Sequence, residues 1–270
     1  MSTTDKVVLV TGASSGIGKA TAEYLAGQGY RVFAGARKPE AVTGLRGGEL
    51  IALDVTDDAS VSAAVAHILA TAGRLDVLVN NAGSSIMGAV EETSVAQAQA
   101  LLDTNVLGVL RMSQAVLPGM RRQHWGRIIN VSSVVGFLPS PFMGVYAASK
   151  HAVEGLSESM DHEVRGFGVR VVVVEPGFTK TNIDQAAPRA ENPIGEYAEQ
   201  RERVISYIGT HVAQGPPPEV VAKSIAAAID VKGFRRLPVG SQAALFSRLR
   251  KWMPVGMVDG ALRKSLHLDR

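Results

Sequence analysis

An α/β fold built on a doubly wound, parallel sheet is what this sequence predicts. Three observations carry the prediction. Short apolar runs alternate with longer helical stretches along most of the chain. Most of those runs are continuously apolar rather than alternating, as strands buried on both faces require. A glycine-rich turn stands directly between the first run and the first helix. The βαβ order implies a Rossmann-like sheet with right-handed crossovers and helices on both faces.

The elements follow in order. Strands are expected at residues 7–10, 31–36, 50–55, 76–82, 127–133 and 169–176, with a last short one at 235–240. Helices are expected at 17–28, 58–72, 94–122, 144–165 and 219–231, the third broken in two near Pro118. No Pro-, Gly- or Ser-rich linker and no fixed repeat divides the chain, so residues 1–270 read as one domain. Segment 177–218 reads as irregular. It holds Gly177, Pro188, Pro193, Gly195 and the run Gly215-Pro216-Pro217-Pro218, a composition suited to a substrate-binding loop or lid.

Composition removes several function classes. The chain lacks cysteine, which excludes disulfides, thiolate metal sites and a cysteine nucleophile. Its six histidines form no ligand spacing, so no metal is expected. The apolar run before Thr11 is too short for a signal-peptide core, and no run approaches the ~18 residues of a spanning helix. A cytoplasmic protein is the expectation. The net charge of +3 hides an asymmetry, because residues 232–270 hold nine Lys/Arg against two Asp. The basic extension at 241–270 reads first as a solvated helical face around a packed stripe. Weak contact with an acidic membrane surface is the second reading. No nucleic-acid-binding motif accompanies that charge, so nucleic acid is not an expected partner.

The turn Thr11-Gly12-Ala13-Ser14-Ser15-Gly16-Ile17-Gly18 follows the first strand and opens the first helix. Glycines let the backbone approach a pyrophosphate, and the helix N-terminus offers free N–H groups and partial positive charge. The end of the second strand bears on the choice of cofactor. An acidic residue there would grip a ribose 2′-hydroxyl. Ala36 is instead followed by Arg37 and Lys38, which suit a 2′-phosphate, so NADP(H) is expected. Asp54, followed by Val55, ends the third strand and has two open roles: accepting from an adenine amino group, or capping the next helix. Asn80-Asn81-Ala82-Gly83 ends the fourth strand, where short residues suit an edge lying against a nucleoside.

Tyr146 and Lys150 are separated by one helical turn and share a face. A cation beside a phenol favours phenolate and makes tyrosine a usable general acid or base nearer neutral pH. Ser133 lies at the C-terminal edge of the fifth strand, where ligands of open parallel sheets collect, so it can meet Tyr146 in space. Ser132 is the adjacent alternative. Successive strand side chains point to opposite faces, so only one of the two should reach a substrate.

Residues 5–182 resemble the short-chain dehydrogenase/reductase family through TGASSGIG, NNAG, Asn105, Ser133, Tyr146-Lys150 and Pro176-Gly177. The resemblance implies a tetrad of Asn105, Ser133, Tyr146 and Lys150, and it selects Ser133 over Ser132. It gives proton exchange to Tyr146 and a hydrogen bond on the substrate oxygen to Ser133. Lys150 would hold the nicotinamide ribose, and Asn105 would position a relay water. Pro176 and Gly177 would flank the nicotinamide, with Thr179 and Thr181 near its amide or the phosphates. A homodimer or homotetramer is implied through the helices near 94–122 and 144–165.

Expected pocket borders hold Ile86, Met87, Phe137, Leu138, Pro139, Phe142, Met143 and Phe178, which favour an apolar substrate with one polar reacting group. The tail from Gln242 to Leu268 resembles hydroxysteroid and retinol dehydrogenase-like members. This suggests a steroid-, retinoid- or long-chain-like alcohol or carbonyl. Two alternatives stand beside this reading: an NAD(H)-dependent alcohol dehydrogenase of the same family, and a dinucleotide sensor without turnover.

Overall fold

The computed structural model describes residues 6–181, 183, 187–252, 254–266 and 268. The remaining residues of the 177–218 loop and of the 241–270 extension lie outside that set. Seven strands form one parallel sheet: β1 (Val7–Thr11), β2 (Arg31–Ala36), β3 (Glu49–Ala52), β4 (Val77–Asn80), β5 (Gly126–Val131), β6 (Val169–Pro176) and β7 (Arg235–Val239). Their spatial order is β3-β2-β1-β4-β5-β6-β7, all neighbours parallel. The order reverses between β1 and β4, and ligands of such sheets bind in the crevice beyond that reversal.

Nine helices complete the described fold: α1 (Gly16–Gly27), α2 (Asp58–Ala72), α3 (Val95–Leu102), α4 (Gly108–Gln123), α5 (Gly144–Val164), α6 (Ala198–Gln214), α7 (Pro218–Ala228), α8 (Ser241–Trp252) and α9 (Val255–Ser265). Period-2 alternation sorts the strand side chains into two cores. Val7, Leu9, Phe33, Leu78 and Ile128 face α2, α4 and α5. Val8, Val10, Val32, Val79 and Ile129 face α1 and α7. Each fully buried Val or Leu contributes about 1.5–3 kcal/mol, so a sheet apolar on both faces is held by both helical layers.

Local signals explain several boundaries. Asp57 caps α2 by accepting from the Ala59 N–H at 2.8 Å, and Gly73 ends it in the left-handed region. Ser94 and Gln97 form a capping box on α3. Pro218 opens α7, where its missing N–H costs nothing.

Two expectations about the helices are corrected. The break in the 94–122 stretch is a π-turn at Asp103–Leu107, not Pro118. Pro118 is tolerated inside α4 because Met112, Val116 and Met120 bind the helix to the sheet along one buried stripe. The irregular segment at 177–218 contains the four-turn helix α6, whose Val204, Ile208 and Val212 lie on one buried face.

Candidate active site

The glycine-rich turn is shaped by close backbone approach. Gly12 has φ +65°, and a Cβ there would stand 2.8 Å from Ala82 Cα. A Cβ on Gly18 would stand 2.3 Å from the Gly12 carbonyl oxygen. Thr11 and Asn81 fix the turn. The Thr11 hydroxyl accepts from the N–H groups of Asn81 and Ala82 at 3.0 and 2.9 Å. Asn81 Nδ2 donates to the carbonyls of Thr11 and Gly12 at 2.9 and 3.2 Å. The Asn81 side chain thus braces the loop from beneath. The sequence suggests Asn81 at a strand edge lying against a nucleoside and gives no sign of this contact with the loop backbone.

Ser15 precedes α1 in an extended conformation and makes no side-chain hydrogen bond to the first turn among the described residues. Ser14 and Ser15 are exposed, and no acid stands in that turn. Backbone N–H groups at this helix end are therefore available to an anion, and the missing Cβ atoms leave it room. This cradle fits a dinucleotide pyrophosphate. The loop after β6 closes over it: Thr181 lies against Gly16, where a Cβ would stand 3.4 Å from Thr181 Cγ2. Thr179 is buried and donates to the Gly177 carbonyl at 3.1 Å, while the Gly177 N–H donates to Val239.

Arg37 and Lys38 are exposed just beyond β2. Asp54 does not cap α2; that role falls to Asp57. Its Oδ1 instead accepts from the Thr56 N–H and hydroxyl at 2.9 and 2.7 Å. The Thr56 N–H, outweighing burial, then the Thr56 hydroxyl, Arg37 and Arg111 hold the Asp54 carboxyl below its ordinary range. The Val55 side chain is buried in the core beside Gly108.

On α5, Tyr146 and Lys150 project to one cavity, with the Lys150 Nζ 5.8 Å from the Tyr146 ring centroid. Lys150 donates to the Val131 carbonyl at 2.9 Å. Burial pushes its ammonium down to about 8, and the nearby Glu154 carboxylate partly offsets that. Asn105 sits in the π-turn. Its Oδ1 accepts from the Ser84 N–H at 2.8 Å, and its Nδ2 donates to the Ser84 carbonyl and Ser149 hydroxyl at 2.9 and 3.0 Å. Gly83 lies between Asn105 and Lys150, where a Cβ would be 3.2 Å from Asn105 Oδ1 and 3.8 Å from Lys150 Nζ.

Ser133 lines the cavity and caps a short 3-10 turn, accepting from the Val135 N–H at 3.3 Å. Ser132 also borders the cavity, but its hydroxyl is buried against Gly136, beside Glu154. The structure thus brings Ser133, Tyr146 and Lys150 to one wall, with Asn105 behind Gly83.

The cavity has a volume of about 340 Å³ and runs from Ile17, Asn81 and Thr181 past Tyr146 to an apolar end. Leu138, Pro139, Met143 and Phe178 line it as the sequence suggests. Four other expected wall residues do not. Ile86 and Met87 are packed in the core cluster under α5 and α6, Phe142 stacks edge-on against Tyr197, and Phe137 lies outside the lining. Their places are taken by Tyr207, Ile208 and Val212 of α6, Phe246 of α8, and Val258 and Leu262 of α9. The i, i+4, i+8 spacing of Val204, Ile208 and Val212 is the signal that would have found the α6 wall.

Comparison with known proteins places this geometry. The family model described as short chain dehydrogenase matches residues 6–192. A 3-ketodihydrosphingosine reductase of Bacteroides thetaiotaomicron is 37% identical, covering 96% of this chain and 97% of that protein. The crystal structure of a short-chain dehydrogenase from Streptomyces avermitilis superposes with a TM-score of 0.80 at 38% identity, covering 92% of this chain and 95% of that one. Two further relatives were solved with cofactor. One is a Burkholderia phymatum enzyme in complex with NAD, with TM-score 0.77 and 27% identity, covering 91% and 92% of the two chains. The other is a Burkholderia cenocepacia short chain dehydrogenase in complex with NADP, with TM-score 0.77 and 25% identity, covering 98% and 99%. With a matching family model over more than half its length and a Rossmann sheet of the same topology, the chain belongs to the short-chain dehydrogenase family of oxidoreductases.

Proposed function

We propose that this chain is an NADP(H)-dependent reductase of a ketone carried on a long apolar chain. The observation that carries the reading is the convergence of Ser133, Tyr146 and Lys150 on the wall of one cavity. One end of that cavity meets the glycine-rich turn and the other is apolar. When bound, the nicotinamide supplies the hydride for carbonyl reduction and accepts it in the reverse direction. The N–H groups opening α1, with Gly12, Ser14, Ser15, Gly16, Ile17 and Gly18, hold the pyrophosphate. Arg37 and Lys38 hold the 2′-phosphate, and Thr179, Thr181, Pro176 and Gly177 frame the nicotinamide end.

The protein's own groups handle the proton. Ser133 donates a hydrogen bond to the substrate oxygen and fixes it beside Tyr146. The Tyr146 hydroxyl gives that oxygen a proton in reduction and takes it back in oxidation. The positive charge of Lys150 favours negative charge on the phenol oxygen that remains. Asn105 positions the Gly83–Ser84 loop against Lys150. The apolar walls from Leu138, Met143, Phe178, Ile208, Val212 and Leu262 exclude water and receive the hydrocarbon. Similarity to a relative named for a 3-keto long-chain base supports the long-chain ketone over a steroid or retinoid.

The test is NADPH oxidation across a panel of long-chain, steroid and retinoid ketones, with wild type compared to Tyr146→Phe. Long-chain ketones should give the highest kcat/KM. Tyr146→Phe should lower it by at least about 100-fold, the ordinary range for a lost general acid. Turnover by Tyr146→Phe at the wild-type rate would remove the catalytic assignment.

A further inference from the structure

The two C-terminal helices present a surface beside the cavity wall that they help to form. On α8, Leu245 and Trp252 stand seven residues apart, which places them on one side of the helix. Leu245 is 53% exposed and Trp252 87% exposed. Beyond Pro254, Met257 of α9 is 59% exposed. Single exposed apolar side chains are ordinary, but large ones gathered on consecutive helices mark a contact surface.

The same stretch is basic. Between positions 245 and 264 the sequence holds five Lys/Arg against Asp259 alone; of these, Arg250 lies on the cavity wall and Arg263 donates to the Leu268 carbonyl at 3.1 Å. Helices combining exposed Trp and Leu with Lys and Arg lie in the interface of anionic bilayers. The surface also joins the cavity. Phe246 is partly exposed and lines the cavity, and Val258 and Leu262 of α9 form its wall. No helix among the described residues is long and apolar enough to cross a membrane, so contact would be at the surface.

We infer that the α8–α9 segment docks on an anionic lipid bilayer, setting the cavity mouth against the membrane. Charge decides the occupant. A second copy of this chain meeting the face across a two-fold axis would oppose the same basic patch to itself. An anionic headgroup layer complements it. Docking stands without any particular substrate; that the cavity is filled from the bilayer rests on the reading of an apolar substrate.

The experiment is co-sedimentation of the full chain with vesicles of equal parts phosphatidylglycerol and phosphatidylcholine, and with vesicles of phosphatidylcholine alone. Binding should occur on the anionic vesicles only, weaken at high salt, and shift tryptophan emission to the blue. Trp125 is partly buried under Lys6 and Arg127, so the shift reports Trp252. Trp252→Ala should lose the shift. The double variant Lys251→Glu with Lys264→Glu should lower vesicle affinity by at least about tenfold. Both variants should keep wild-type thermal unfolding and wild-type turnover of a water-soluble ketone. Equal sedimentation with both vesicle types, sedimentation with neither, or wild-type affinity in the double variant overturns the inference. An oligomer that Trp252→Glu splits, with no vesicle binding by the wild type, likewise overturns it and makes the face a subunit interface. Failure of ketone turnover with intact vesicle binding would sink the proposed function and leave the docking in place.

Discussion

Asn105 donates to the Ser149 hydroxyl at 3.0 Å, tying the π-turn between α3 and α4 to the second turn of α5. Ser149 in turn donates to the Tyr146 carbonyl at 2.7 Å. The same amide satisfies both backbone groups of Ser84. Asn105→Ala would remove the partner of the half-buried Ser84 N–H and carbonyl and one partner of the buried Ser149 hydroxyl, at about 1–3 kcal/mol for each group left unsatisfied. The expected result is a loss of about 2–4 kcal/mol in urea unfolding. A fall in kcat/KM of about 100-fold should accompany it, because Gly83 and Lys150 lose their fixed spacing. Unchanged stability would mean the hydrogen bonds are replaced by water and that Asn105 is no brace.

Lys150 links the site to stability through pH. Its ammonium is pushed by burial from 10.5 down to about 8. The folded value lies below the unfolded one, so between those values the unfolded chain binds more protons. Folding stability therefore rises with pH across that window. Below about pH 8 the folded protein carries the full cost of a buried charge. Lys150→Met removes the group and with it the slope. The stability of wild type relative to Lys150→Met, measured without cofactor, should improve by about 2–3 kcal/mol between pH 7 and pH 10. A parallel pH dependence for the two proteins would refute the depressed value.

How much of this was readable from residues alone follows a physical division. The strands were readable because burial on both faces forces continuous apolar runs, and the glycine-rich turn because only glycine tolerates the approach of Gly12 to Ala82 and of Gly18 to the Gly12 carbonyl. Tyr146 and Lys150 were readable because one helical turn puts them on one face. The π-turn was not readable. Pro118 is a strong local breaker, yet the stripe of Met112, Val116 and Met120 on the sheet overrides it. The true break at Asp103–Leu107 contains no residue type that marks it. The far walls of the cavity were also missed. Glycines and prolines flank α6, and basic residues crowd α8 and α9, so the apolar stripes of helical period stand among loop and surface signals. Asn81 shows the limit of motif reading: its amide supports the loop backbone from inside, a role fixed only once β1 and β4 are neighbours.

Arg37 gives the sharpest test of the proposed cofactor. It is exposed beyond β2 and close enough to Asp54 to lower that carboxyl, after the stronger effect of Thr56. A guanidinium bonding a 2′-phosphate contributes about 1.5–3 kcal/mol. Arg37→Asp should therefore raise the KM for NADPH by about 10–100-fold. The KM for NADH should stay level or fall, since an acid there can accept from a ribose hydroxyl. Steady-state kinetics with both cofactors decides the matter, and an equal rise for both would show that Arg37 does not read the phosphate.

Glu92 and Arg201 form the latch that sets the α6 wall of the cavity. Glu92 is fully buried and accepts from the N–H groups of Ala89 and Ile194, each at 2.8 Å, and from Arg201. Burial alone would raise its carboxyl. Hydrogen bonds from Ile194 and Ala89, with Arg201 beside them, outweigh burial and hold it below 4.5. Its contribution is thus present above the unfolded value and is lost as pH falls through the depressed one. Breaking one side of a buried pair costs about 3–5 kcal/mol, because the remaining charge is stranded. Glu92→Gln should lower unfolding stability by roughly that amount at pH 7, with a smaller difference below pH 4. Arg201 lies on the helix that carries Tyr207, Ile208 and Val212, so the KM for the ketone should rise while the KM for the cofactor holds. A variant that binds ketone as well as wild type would show that the α6 wall is set by its apolar contacts alone.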